Sequence, residues 1–201
     1  MNDSPDIDRP GPADVLMHLA SRYSVGPKHL GAPPPARAEL LRAAALALRA
    51  PDHEALRPYR FVHIDVHQRA ALGELFADVA RRRGRSEAEI QEARDRADNG
   101  PCLLGLVGRV QDGALGVPAQ EQWLCIGAAL MNFLNALHLM GYGAKVLGGT
   151  SIYDAEVQRA FCAPGENLLC WIVAGTPTRS AHSRYHDDAA SVLGDWDGAR
   201  R

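Results

Sequence analysis

Two short stretches carry side chains whose types and spacing suit a ligand that is negatively charged or electron-rich. In LRAPDHEALRPYRF, residues 48–61, an alanine- and leucine-rich segment stops at Arg-Ala-Pro-Asp-His and passes within a few residues into an aromatic, strand-like run. Proline disfavours the helical conformation in the residue before it, so Ala50 is the expected helix end, and Pro51 with Asp52 supplies turn chemistry. Arg49 and His53 are thereby delivered to a corner. Two basic groups at a corner form either a solvated turn or part of a site, and the local residues leave both readings open. The second stretch is Arg22-Tyr23-Ser24, where a first helix should give way to a loop. A guanidinium with a hydroxyl two residues on can hold a phosphate, the arginine by forked charge-assisted bonds and the serine by one further donor. Taken alone, the simpler reading of this stretch is a cation complementing a helix C-terminus.

Other chemistry finds little support. No Gly-x-Gly-x-x-Gly stands between strand and helix, and neither a Gly-Lys-Ser/Thr phosphate loop nor a Gly-x-Ser-x-Gly elbow occurs. His63 and His67 share a face only if their segment is helical, and it reads as a strand end, so no metal pair is expected. His138 and Trp171 read as satisfied core residues, and His182 and His186 lack partners at a defined spacing. Cys102, Cys125, Cys162 and Cys170 are widely separated without a Cys-x-x-Cys pair, which fits buried thiols in a reduced, cytoplasmic chain. A net charge of -2 gives no reason to expect nucleic acid or an anionic membrane as partner.

The elements that must position these residues follow from periodicity. At 201 residues the chain suits one domain, with residues 1–12 a disordered, acidic lead and residues 13–201 the folded part including the tail. Helices are expected over ADVLMHLASR, from Ala13 to near Arg22 with Val15, Leu16 and Leu19 at helical spacing, and from Ala36 to Arg49, where Leu40, Leu41, Ala44, Ala45 and Leu48 form one apolar face. The proline-rich stretch between them reads as a loop. Tyr59 to Val66 alternates as a strand, and an amphipathic helix follows. A more polar helix then starts with Ser86 as cap before Glu89. CLLGLVGRV is nearly continuous in apolar character and so should be a strand buried on both faces. Pro118 can open a long helix to about Met140, interrupted by too many polar residues for a membrane span and apolar enough to be the central one. AKVLGG, YDAEVQRAF and NLLCWIVAGT complete the chain as strand, short helix and buried strand, which gives an α+β architecture.

The order and spacing of SRYS, LRAPDHEALRPYRF, VPAQEQW, MGYGAKVLGG and AGTP resemble the nitroreductase family, closest to its small bacterial NAD(P)H nitroreductase branch, from about Met17 to Pro177. The resemblance implies a central, mostly antiparallel sheet flanked by helices, an intertwined homodimer, and FMN at the subunit interface. By that likeness Arg22, Tyr23 and Ser24 match the element holding the phosphate and ribityl chain, and Arg49 and His53 match positions approaching flavin from the other subunit. Val146, Leu147 and Gly148 fall where the family lines the flavin, without the indole and hydroxyl usual there, and Gly148 still lets backbone N–H groups approach the ring. Ala136 to Gly141 match a region meeting the nicotinamide cofactor, and Arg184 a basic tail residue near the phosphate. The implied activity is FMN-dependent, ping-pong hydride transfer from NAD(P)H to a small-molecule acceptor, nitroaromatic or quinone-like. The altered segment at residues 146–148 leaves a non-enzymatic flavin-binding or flavin-storage dimer as the alternative.

Overall fold

The computed structural model describes residues 11–179, 188–196 and 198. Its centre is a five-stranded sheet in which every pairing of strands is antiparallel. β2 (Tyr59–Ile64) pairs with β3 (Cys102–Gly108), which pairs with β5 (Asn167–Pro177); β5 also pairs with β1 (Leu30–Gly31) and β4 (Gly143–Leu147). β3 is buried along its whole length, as its apolar run requires. Its side chains alternate between two cores. Leu103 and Val107 face a core made with α3 (Arg69–Arg82), α4 (Glu87–Asp95) and α6 (Ala155–Phe161); Cys102, Leu104 and Leu106 face one made with α2 (Arg37–Ala47) and α5 (Ala119–Leu139). The expected α+β sheet with helices on both faces is therefore present.

β5 feeds both cores, and it does so across a bulge. Leu106 pairs with Cys170 while Val107 pairs with Leu168, so Leu169 is the extra residue, and Leu169 and Cys170 both lie against the α2–α5 core. The long helix is tied to the sheet by Phe133, which is buried and stacks on Phe61 of β2 with ring centroids 4.2 Å apart. At the far edge, Arg60 forks onto Glu166 with an Nη2–Oε2 distance of 2.6 Å; that guanidinium is the main reason the Glu166 carboxyl is held down at about 2.

Several boundaries differ from the sequence expectation: the first helix stops at Ala20 rather than near Arg22, α2 at Ala47 rather than Arg49, and β2 at Ile64 rather than Val66. The Pro-rich loop contributes the two-residue strand β1, whose Leu30 and Gly31 pair with Pro177 and Thr176. The first helix, α1 (Pro12–Ala20), takes in the last residue of the expected lead. Pro118 lies just outside α5 as its N-cap, in extended conformation, one residue before the first turn expected to hold it. Ser86 caps α4 as expected, accepting from the Glu89 amide while Glu89 returns a bond to the Ser86 amide. Cys102, Cys125 and Cys170 are buried free thiols, each pushed up to about 11 by burial, and Cys162 is half-buried. Phe133→Ala should lower unfolding free energy by about 3–5 kcal/mol in urea titration, because both the buried ring and its stack on Phe61 are lost.

Candidate functional site

The residues singled out from the sequence fall into two groups, each fixed by local chemistry. In the first, the chain leaves α1 at Ser21 and runs beside β4: Ser24 forms an isolated parallel bridge with Ala144, and the Val25 amide donates to the Ala144 carbonyl at 3.0 Å. Gly143 permits this approach, since a Cβ there would lie 2.8 Å from Val25 Cγ2 and 2.9 Å from Leu30 Cδ2. Arg22 and Tyr23 line a groove of about 160 Å³ that continues to His138, Gly141 and Ala144. His138 is satisfied, but at a helix junction rather than in the core. Its Nε2 stands 2.9 Å from the His18 carbonyl oxygen and 3.0 Å from Ser21 Oγ, docking α1 on α5.

Further along β4, Val146 is exposed, Leu147 is half-buried against the same core as Tyr23, and Gly148 is exposed. Leu147, Gly148 and Gly149 border a cavity of about 230 Å³ with Arg96, Asn99, Ser151 and Trp171. A Cβ on Gly148 or Gly149 would meet nothing within 4 Å, so the strand end presents bare backbone to open space. The Trp171 ring is buried between Phe76 and Phe161, and its Nε1 has no hydrogen-bond partner. Trp171 is core, as read from the sequence, yet it also borders this cavity.

The second group is the corner after α2. That helix ends at Ala47, and the Arg49 and Ala50 amides close the last turn on Leu46 and Ala47 at 3.0 Å, ahead of Pro51. The Asp52 carboxylate then accepts from the Leu56 and Arg57 amides at 3.1 and 2.9 Å, folding the chain back before β2. Glu54, Ala55 and Arg57 adopt left-handed conformations, with φ of 59°, 51° and 47°. His53 Nδ1 meets Glu121 Oε2 of the first turn of α5 at 2.8 Å. Neither Arg49 nor Arg22 pairs with a carboxylate among the described residues.

Within one chain these groups do not meet. His53 sits at the start of α5, beside Glu121, and Arg22 at its end, beside His138. The intervening helix spans about 25 Å at ~1.5 Å per residue. Arg184, His182 and His186 lie outside the described residues. His63 lies in β2 and His67 in the turn after it, and no group of three or more His, Cys, Asp or Glu suits a metal ion among the described residues. Sequence reasoning missed Arg96, Asn99 and Ser151, and the partnership of Glu121 with His53 across 68 positions.

Residues 19–176 match the family model described as "Nitroreductase family". The chain belongs to the nitroreductase family. It is 27% identical over 169 residues to a Haemophilus influenzae protein named "Putative NAD(P)H nitroreductase", covering 84% of this chain and 91% of that protein. Among solved structures, a nitroreductase-like family protein from Bacillus cereus superposes with a TM-score of 0.75 at 14% identity, over 94% of this chain and all of that one. An FMN and NADPH-dependent nitroreductase, NfnB, from Sphingopyxis sp. strain HMH gives 0.64 at 19% identity, over 92% and 99%. These two likenesses concern the fold. Among the described residues no helix is long and apolar enough to cross a membrane.

Two glycines at the end of β4 should separate experimentally. Gly149, at φ 143° and ψ 163°, occupies a region that side chains avoid, so Gly149→Ala should cost about 1–3 kcal/mol in urea unfolding. Gly148→Ala, at a position open to solvent, should stay within about 0.5 kcal/mol of the parent.

Proposed function

We propose that the protein is a cytoplasmic, FMN-dependent NAD(P)H oxidoreductase that reduces nitroaromatic or quinone-like acceptors in two half-reactions at one site, and that it works as a homodimer. The observation that carries this reading is the separation of the two basic groups by the length of α5. A second copy with α5 reversed would bring the Arg49–His53 corner of one chain to the Arg22–Ser24 strip of the other, closing a site neither chain can close alone. The surface available for such pairing is apolar: Trp123, Leu124 and Met131 on α5 and Leu41 and Leu48 beside it are exposed, as are Val192, Leu193 and Trp196 of the tail.

The residues present fit FMN. The Arg22 guanidinium, which pairs with no carboxylate among the described residues, and the Ser24 hydroxyl suit the phosphate and ribityl chain, with Tyr23 between them. The bare backbone at Gly148 leaves room for a flat ring beside Val146 and Leu147, and the cavity below it holds an indole N–H without an acceptor. FMN, when bound, would supply the redox chemistry, accepting hydride from the nicotinamide and passing electrons to the acceptor. The chain's own part is to hold the phosphate, exclude water with Phe76, Leu103 and Leu147, and present cations. Arg96 at the cavity and Arg49 at the corner can oppose negative charge that builds up on reduction. Arg184 stays in the proposal as a further phosphate contact from the tail, and residues 136–141 as the region that meets the nicotinamide.

Folding autonomy of residues 13–201 as one domain belongs to the same proposal. The alternative of a flavin-binding or flavin-storage dimer takes its support from Val146–Gly148, which lack an indole and a hydroxyl; against it, Trp171 and Ser151 border the same cavity and supply both groups from elsewhere. NAD(P)H oxidation by the yellow, purified protein separates the two. Removing one charge-assisted contact with Arg22→Ala should weaken FMN binding about ten- to a hundredfold by fluorescence titration, and an unchanged affinity would remove the phosphate assignment.

A further inference from the structure

We infer that His53 and Glu121 form a proton-delivery pair for the acceptor half-reaction, with His53 Nε2 the donor and Glu121 the positioning residue; this rests on the oxidoreductase reading above.

The pair is built rather than incidental. Glu121 lies in the first turn of α5, where the helix N-terminus favours a carboxylate, and its Oε2 takes the His53 Nδ1 contact at 2.8 Å. With Nδ1–H donated to Glu121, the ring presents Nε2 outward: an acceptor when neutral, a proton donor when charged. The other ionised groups at the corner are Glu54, whose Oε1 is 3.8 Å from Nε2, Asp52, whose carboxylate is committed to the Leu56 and Arg57 amides, and the cations Arg49 and Arg57. Side-chain exposures of 56% for His53 and 47% for Glu121 make the contact a poor source of stability. The turn that presents His53, held by the Asp52 carboxylate, keeps Glu54, Ala55 and Arg57 in left-handed conformations, a kind of strain that concentrates at functional sites.

The chemistry balances. A quinone becomes a hydroquinone by taking one hydride, supplied through the NAD(P)H–flavin couple, and one proton. As the hydride arrives, the Nε2–H bond of protonated His53 breaks and an O–H bond forms on the acceptor. The imidazole is left neutral with Nδ1–H still on Glu121, and solvent returns the proton. Ferricyanide takes a single electron and no proton, so it bypasses the pair.

The test compares turnover of the FMN-loaded enzyme with benzoquinone and with ferricyanide, alongside ¹⁵N NMR of the His53 ring in the protein without flavin. Glu121→Leu, which removes the acceptor, should shift His53 away from the Nδ1–H tautomer and lower the quinone-to-ferricyanide ratio about tenfold; His53→Gln should lower that ratio about a hundredfold. His53→Ala should regain quinone turnover with added imidazole. Ratios equal to the parent's in all three variants, or an unchanged His53 tautomer in Glu121→Leu, would overturn the inference while leaving the oxidoreductase reading intact. A parent protein that binds no FMN and oxidises no NAD(P)H with either acceptor would overturn both.

Discussion

The length of α5 is the constraint on which the rest of the arrangement depends. A helix of 21 residues cannot bend its two ends together, and this chain hangs one basic group on each end. The N-terminal end holds the Arg49–His53 corner through Glu121, and the C-terminal end receives α1 through His138. Burial of Cys125, Ile126, Ala129, Phe133 and Leu137 against the sheet fixes the helix, so neither group can drift toward the other. One chain alone therefore leaves the two basic groups apart, and the proposed flavin site would need a second copy to bring them together.

The sheet sets the other half of the geometry. β5 pairs with three strands and carries its side chains alternately into two cores, so β4 is held rigidly along its edge. The Ser24–Ala144 bridge then transfers that rigidity to Arg22 and Tyr23. Where β4 runs out, Gly148 and Gly149 leave a side-chain-free lip above Trp171. Trp171 from β5 and Ser151 from the following turn border the cavity beside this lip.

Much of this was legible in the sequence because it rests on local rules. The apolar continuity of residues 102–108 marked a strand buried on both faces, Ser86 and Glu89 marked a helix start, and Pro51 marked the end of α2. What escaped was decided by distance along the chain. β1 is two residues in a proline-rich loop, and only its partners Thr176 and Pro177 make it a strand. Glu121 looked like one residue of a motif, and its contact with His53 follows from the packing of α2 beside α5. Arg96 follows a polar helix whose pattern carries no signal for a site, and the fold brings it to the cavity that Gly148 also borders. The resemblance had Arg22 and Arg49 approach the flavin from different subunits, and within one chain the fold parts them by the length of a helix.

Complementation between two defective chains tests the shared site most directly. One chain would carry Arg22→Ala and the other Arg49→Ala with His53→Ala, each pure homodimer having lost FMN affinity. After unfolding and refolding as a mixture, the account predicts that mixed dimers regain one intact site of two and bind FMN with parental affinity at that site. A mixture that binds no better than its two parents, although mixed dimers have formed, would contradict it.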